Sequence, residues 1–303
     1  MKSVVAFVMI LFAGVPAARA ACSIDQFLLR GVATSYDPFQ NAAYPSIIAL
    51  SARATGSCTS DLLQFAMTPS PTNPQTGPVV RLSSGAHALS ASIEDASGTP
   101  RPVTTEGAAF TSTEVSLPLG RTGLQGPSPL KLVIQPGQAV PPGVYSAQLN
   151  VLWRVIDKTG STIQGGRSLL LVSVRVIPSV WLAAGSDTLI DLGEIRPNEI
   201  STAVRFDAYS NVGYDLVLIS DNRFQLRRGN RTQPGIDYMP YISGLPVVLP
   251  SRSDMSEAGR VISFQAPGNG ARMQSFNVKI LPFRDMPAGN YGDLVTLEIR
   301  ART

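Results

Sequence analysis

The sequence predicts an all-β protein built as two β-sandwiches, the second of which lacks its last strand. Three observations predict it. Short apolar-rich runs are separated by turn-forming residues, and the 303 residues carry 26 glycines and 24 prolines, too dense a punctuation for long helices. No long stretch has helical periodicity. A tyrosine-headed strand motif occurs twice, and only its first copy is followed by another strand.

The elements follow in chain order. Met1-Lys2 supplies a positive start, "VVAFVMILFAGVPA" an apolar centre, and "AARA", ending at Ala20, the small residues a signal peptidase reads. Residues 1–20 are therefore expected to be a secretory signal peptide, cleaved after Ala20. That apolar run is short for a membrane span, and no other stretch reaches about 18 uninterrupted apolar residues, so an integral membrane protein is not expected. Cys22 and Cys58 are the two cysteines. In an exported chain they are expected to form one disulfide, closing a loop of roughly 35–40 residues worth roughly 4 kcal/mol in the chain-entropy model. Two cysteines with no histidine nearby do not suggest a metal site. Ten runs then read as strands: "SIIALSARA", "DLLQFAM", "LKLVIQ", "YSAQLNVLWRVI", "SLLLVSVRVI", "AVRFDAY", "YDLVLIS", "GRVISFQA", "QSFNVKILPF" and "YGDLVTLEIRA". In the last, Tyr291, Asp293, Val295, Leu297, Ile299 and Ala301 share one face. Gly292, Leu294, Thr296, Glu298, Arg300 and Arg302 share the other. Mostly apolar against mostly polar at period two is the pattern of a half-buried strand.

"VPPGVYSAQLNVLWRV" at 140–155 and "MPAGNYGDLVTLEIRA" at 286–301 share a Pro-x-Gly-x-Tyr opening and an alternating strand. Upstream, "SCTSDLLQFAM" at 57–67 parallels "NVGYDLVLIS" at 211–220, in the same order. Two homologous domains are expected, 21–177 and 178–303, jointed at "IPS", where Pro178 ends a central strand. In the repeated motif the proline and glycine turn the chain. The tyrosine then fills the corner, its hydroxyl bonding back to a turn carbonyl, as in immunoglobulin-like sandwiches. Tyr145 and Tyr291 are therefore structural corner residues. After the first copy comes the turn "IDKTGSTIQGG" and then a strand with Leu170, Val172, Val174 and Val176 on one face. The second copy has no such successor before Thr303.

A sandwich short of one strand resembles the pilin domains of bacterial chaperone–usher fibres. The "PAGNYGDLVTLEIRA" ending is similar to the closing motif of the spore coat protein U family, which includes subunits of archaic chaperone–usher pili. "SNVGYDLVLIS" and "MPYISGL" are similar to its central strands, and Cys22 and Cys58 fall where its N-terminal cysteine pair does. Residues 68–130 match no pattern of that family, and the second domain lacks the cysteine pair. The resemblance implies completion by β-augmentation. A periplasmic pilus chaperone lends a strand first, an outer-membrane usher assembles the fibre, and an adjacent pilin subunit then donates its N-terminal extension. The receiving groove would be lined by Val295, Leu297 and Ile299. A shaft subunit needs a donor segment before its first cysteine. Here Cys22 is the second residue after the expected cleavage site, so this subunit is expected to accept a strand, lend none, and sit at the pilus tip on the cell surface. The resemblance is to a two-domain tip adhesin attaching the bacterium to a host or abiotic surface ligand.

Other chemistries find little support. Without Lys2 and Arg19 the formal charge falls from +4 to +2, and only "RRGNR" at 227–231 clusters basic residues, so no nucleic-acid partner is expected. His87 is the sole histidine, and Asp187, Asp191 and Glu194 read as turn and surface residues. No phosphate loop, Gly-x-Ser-x-Gly elbow or ligand cluster is present, so neither an enzyme nor a cofactor is expected. Asn230-Arg231-Thr232 has the glycosylation-acceptor pattern but carries no weight without a eukaryotic setting. Tyr36, Phe39 and Tyr44, among the turn formers of "SYDPFQNAAYPS", form the candidate adhesive loop, and Phe110 is a further loop aromatic. The alternatives to a tip adhesin are a minor structural pilus or coat subunit without adhesive activity, and a secreted carbohydrate-binding protein or enzyme.

Overall fold

The computed structural model describes residues 22–40, 42–56, 58–111, 113–124, 129–183, 188–229, 234–249, 259–268, 270–284 and 286–302. The expected signal peptide and its expected cleavage site, Asp187, Asn230-Arg231-Thr232 and Thr303 lie outside them.

The chain is all-β. Its first part runs β1 (Ser23–Arg30), β2 (Ala33–Tyr36), β3 (Tyr44–Thr55), β4 (Leu62–Thr68), β5 (Val79–Ser84), β6 (His87–Glu94), β7 (Val115–Gly120), β8 (Gly123–Leu124), β9 (Leu130–Ile134), β10 (Gly143–Ile156) and β11 (Thr162–Val176). Its second part runs β12 (Val180–Ala183), β13 (Val204–Ser210), β14 (Tyr214–Ser220), β15 (Gln225–Leu226), β16 (Ile236–Ile242), β17 (Leu245–Pro246), β18 (Arg260–Phe264), β19 (Ala271–Ile280) and β20 (Val295–Ala301). A single 3-10 turn, Glu106–Ala108, is the only helical element among the described residues.

Buried apolar side chains fall into two clusters. One is drawn from Cys22 to Val176, the other from Phe206 to Ile280 with half-buried neighbours out to Ile299. Around the first, the strands form one sheet in the order β2-β11-β10-β4-β7-β8-β3-β9-β6-β5, with β1 added on β3, and it doubles back where Ser83 of β5 meets Ser146 of β10. Cys22 and Cys58 are joined in a disulfide, as the sequence led us to expect. Around the second, β12-β13-β19-β16-β15 faces the three-stranded sheet β18-β14-β20.

The two copies of the sequence repeat fold alike. Strand β4 pairs antiparallel with β10, and β14 pairs antiparallel with β20. On its far side β4 pairs with β7, and β14 with β18. In both copies the tyrosine hydroxyl donates to the proline carbonyl four residues back: Tyr145 to Pro141 at 2.9 Å and Tyr291 to Pro287 at 2.7 Å. The glycine between them has φ +152° at Gly143 and +157° at Gly289. Side-chain-bearing residues rarely adopt such angles.

Between the cores, the buried Asn211 accepts from the Ser179 N–H at 2.8 Å and donates to the carbonyls of Ile177 (2.9 Å) and Val140 (3.2 Å). The segment that joins the two cores is thus hydrogen-bonded to both.

Candidate functional site

The first copy shows what a finished edge looks like. Strand β10 pairs with β11 along its whole length, from Gly143↔Val176 to Ile156↔Thr162. Strand β2 then pairs with β11 on its other side. The inward face of β10 is closed as a result: Tyr145, Ala147, Leu149, Val151 and Val155 are all 5% exposed or less. Leu170, Val172, Val174 and Val176 of β11 are buried with them.

The second copy has the same strand without that neighbour. Among the described residues β20 pairs only with β14. Counting from the tyrosine, Val295, Leu297, Ile299 and Ala301 occupy the places of Leu149, Val151, Trp153 and Val155. All four are only half-buried, whereas of their first-copy counterparts Leu149, Val151 and Val155 are buried and only Trp153 is half-buried. Val295, Leu297 and Ile299 pack on the second core, as do the half-buried Leu192 and Ile195. The backbone is open on the same side. Leu294 accepts from the Asp221 N–H and Arg302 donates to the Gly213 carbonyl, both on the β14 side. Alternation therefore turns the N–H and C=O groups of residues 295, 297, 299 and 301 toward the unpaired edge. An edge with apolar side chains and unpaired backbone groups is a template for a further strand. The opposite edge, β18, has its counterpart in β7; among the described residues no strand stands to β20 as β11 does to β10.

The head of β20 is fixed by polar contacts. Gly292 exchanges two backbone hydrogen bonds with Arg227, at 2.9 and 3.0 Å. The Asp293 carboxylate, on the inward face, accepts from the Tyr238 hydroxyl at 2.5 Å, the Ser220 hydroxyl at 2.6 Å and the Asn222 N–H at 3.0 Å. These partners lie on both facing sheets and the turn after β14, so Asp293 pins the sheets together at one end of the open edge. Burial first, and the Asp293 charge second, push the Tyr238 hydroxyl far above its ordinary pKa, so it remains a donor. The sequence places Asp293 on the apolar face but gives no sign of Tyr238, 55 residues earlier, as its partner.

The loop aromatics differ in exposure: Tyr36 is buried, and Phe39, Tyr44 and Phe110 are half-buried. Tyr36 has 0% exposure. It ends β2, which lies against β11, so its ring turns inward; its hydroxyl donates to Gln135 O and accepts from the Gln138 N–H. This removes Tyr36 from any contact surface. Tyr44 is half-buried with its ring edge-on to Tyr36 at 5.5 Å. Phe39 is half-buried against Tyr209 of the second core at 6.0 Å. Phe110 lies under the Arg154 guanidinium at 4.2 Å. His87 opens β6, exposed. Asp191 accepts from the Gly193 N–H, and Glu194 pairs with Arg196 at the surface. Cys22, Cys58 and Asp61 lie within 4.8 Å of one another, but the two sulfurs are bonded together and offer no thiolate. No described helix is long and apolar enough to cross a membrane.

No protein-family model matches this chain, and no curated protein does. Among solved structures it is similar to a chain of the CsuC–CsuE chaperone–tip adhesion subunit pre-assembly complex from the archaic chaperone–usher Csu pili of Acinetobacter baumannii. That match has 17% identity, 92% of this chain and 99% of that one covered, and a TM-score of 0.46. It is also similar to CfaE, the adhesive subunit of CFA/I fimbria of enterotoxigenic Escherichia coli, at 11% identity, 90% and 93% covered, and a TM-score of 0.34. The CooA pilin subunit of enterotoxigenic Escherichia coli matches at 15% identity, 50% and 92% covered, and a TM-score of 0.32. All of these TM-scores are below 0.5, and none of the likenesses bears on the residues at the β20 edge.

Proposed function

We propose that this protein is an exported subunit of a strand-exchange fibre. Its second domain, 178–303, accepts a strand from another protein along β20, and its first domain, 21–177, is complete in itself. The observation that supports this reading is the contrast within one chain: the same motif is closed by β11 in the first copy and left half-buried and unpaired in the second. The incoming strand takes the place of β11, antiparallel to β20, with apolar side chains over Val295, Leu297 and Ile299. Four or five such side chains would contribute about 6–15 kcal/mol, an upper estimate. That is comparable to the net stability of a whole domain, about 5–15 kcal/mol. In line with the resemblance of its closing motif, the donors are a periplasmic chaperone and then the adjacent subunit delivered by an outer-membrane usher. The protein acts as a tip subunit at the cell surface, with Phe39 and Tyr44 the remaining candidates for a contact residue. A second reading, a structural subunit without adhesive activity, is favoured by the burial of Tyr36 and the packing of Phe39 on Tyr209.

The test is a synthetic peptide copying residues 164–176, added to the full-length protein. It should form a complex that survives size-exclusion chromatography. Leu297→Asp and Val295→Asp should each weaken it more than tenfold, because a charge would be buried beside the inserted strand. Equal binding by Leu297→Asp would place the peptide elsewhere and contradict the reading.

A further inference from the structure

We infer that Asp293 sets which strand the second domain accepts: the donor carries a hydroxyl side chain, not a branched aliphatic one, at the position facing Asp293. This rests on the strand-acceptor reading above. The first domain supplies the measure. Counting from the tyrosine, Asp293 stands where β10 has Ala147. In the closed copy Ala147 faces Val172, Leu149 faces Leu170 and Val151 faces Ser168. A strand laid on β20 in the same way therefore has its Leu170-like residue over Val295 and its Val172-like residue beside Asp293. Directly opposed residues on one face have Cβ atoms about 4.5–5.5 Å apart, near enough for side-chain contact.

At that place the two acceptors are chemically opposite. Ala147 is an apolar residue that a valine covers well. Asp293 is a carboxylate bonded to Tyr238, Ser220 and the Asn222 N–H. A carboxylate has about four acceptor sites, and those three bonds leave one. A valine over it would strip water from that site and return nothing. A serine or threonine would cover it and donate the fourth bond. Burial of a charge is tolerated only when its bonds are complete. The apolar part of the edge thus begins at Val295, and Asp293 marks its polar end, fixing the register as well as the residue type.

The experiment grafts the first domain's own continuation, residues 157–176, after Arg302 of the full chain, since Arg302 occupies the place of Ile156. Two grafts are compared, one with the native residue and one carrying V172T in the grafted copy, each with Asp293 and with D293A. Opening of the second core is read by amide exchange at Leu216 and Leu218, both 0% exposed. With Asp293, the V172T graft should slow exchange about tenfold more than the native graft, the size expected of one hydrogen bond to a charged group. With D293A the order should reverse. If D293A does not fold, D293N serves: it keeps an oxygen for Tyr238 but loses the charge, and the hydroxyl preference should fall to about threefold or less. If both grafts slow exchange and their ratio is the same with and without Asp293, the acceptor reading stands and the selection is overturned. If neither graft slows exchange in any background, the acceptor reading fails and the selection with it.

Discussion

Asp95, in the turn after β6, shows how single polar residues hold loops that lie outside the cores. Its carboxylate accepts from the Ser97 N–H and hydroxyl and from the Thr99 N–H, and forms a two-bonded pair with Arg101. The Ser97 hydroxyl first, then the Thr99 N–H and Arg101, outweigh burial and hold this carboxyl far below the ordinary range. A folded-state pKa below the unfolded one contributes stability that is fully present above about pH 4 and lost as the pH falls. Asp95→Asn should therefore flatten the acid side of a stability–pH curve of the first core, measured as denaturation midpoints from pH 7 to pH 3. An unchanged acid slope would count against the turn's role. Tyr145→Phe and Tyr291→Phe should each cost about 1 kcal/mol, one neutral hydrogen bond, read as a shift in the denaturation midpoint of the first and of the second core respectively.

At the scale of elements, β10 and β20 are one design in two environments. Leu170→Ala removes a fully buried side chain of β11 and should destabilise the first core by about 2–5 kcal/mol. Leu297→Ala, at a half-buried position, should cost under about half of that in the free protein and approach it once a donor strand is present. Equal costs in the free protein would mean β20 is already covered. Much of this was legible in the chain. The tyrosine corners, the strands from 145 to 177, and the pairing partners at 61–67 and 214–220 all announced themselves by alternation and by repetition. Other strands did not. In β1, "SIDQFLLR", a register shift between Ile24 and Gln26 breaks the period of two. In β6, "HALSASIE", Leu89, Ala91 and Ile93 alternate with Ser90, Ser92 and Glu94, but with alanine and an exposed histidine on the inward face the run is not apolar-rich. Tyr36 reads as a loop residue because its partner strand, β11, pairs with β2 at a separation of 140 positions, from Ala33↔Ser173 to Tyr36↔Val176. At the candidate site, the apolar face of β20 was visible locally, whereas the pin through Asp293 depends on Tyr238 and Ser220, which only the fold brings near.

For the whole molecule, the question is how the two cores are held together. Asn211 bonds to Val140, Ile177 and Ser179. Beside it Phe39 meets Tyr209, and Tyr209 meets Trp181 at 5.2 Å. Asn211→Ala removes the partner of those part-buried groups and should cost about 1–3 kcal/mol. Small-angle scattering should then show a wider spread of shapes, and an unchanged profile would mean the ring contacts suffice. The central claim, however, is that β20 waits for a strand. Residue-resolved amide hydrogen exchange tests it most directly. Val295, Leu297 and Ile299 should exchange freely in the full-length protein, while Val151, paired on both sides by β11 and β4, stays protected. Grafting residues 157–176 after Arg302 should bring the three amides to the protection of Val151. Protection at Val295, Leu297 and Ile299 without any graft, and unchanged with it, would show that the edge is already closed and contradict the account.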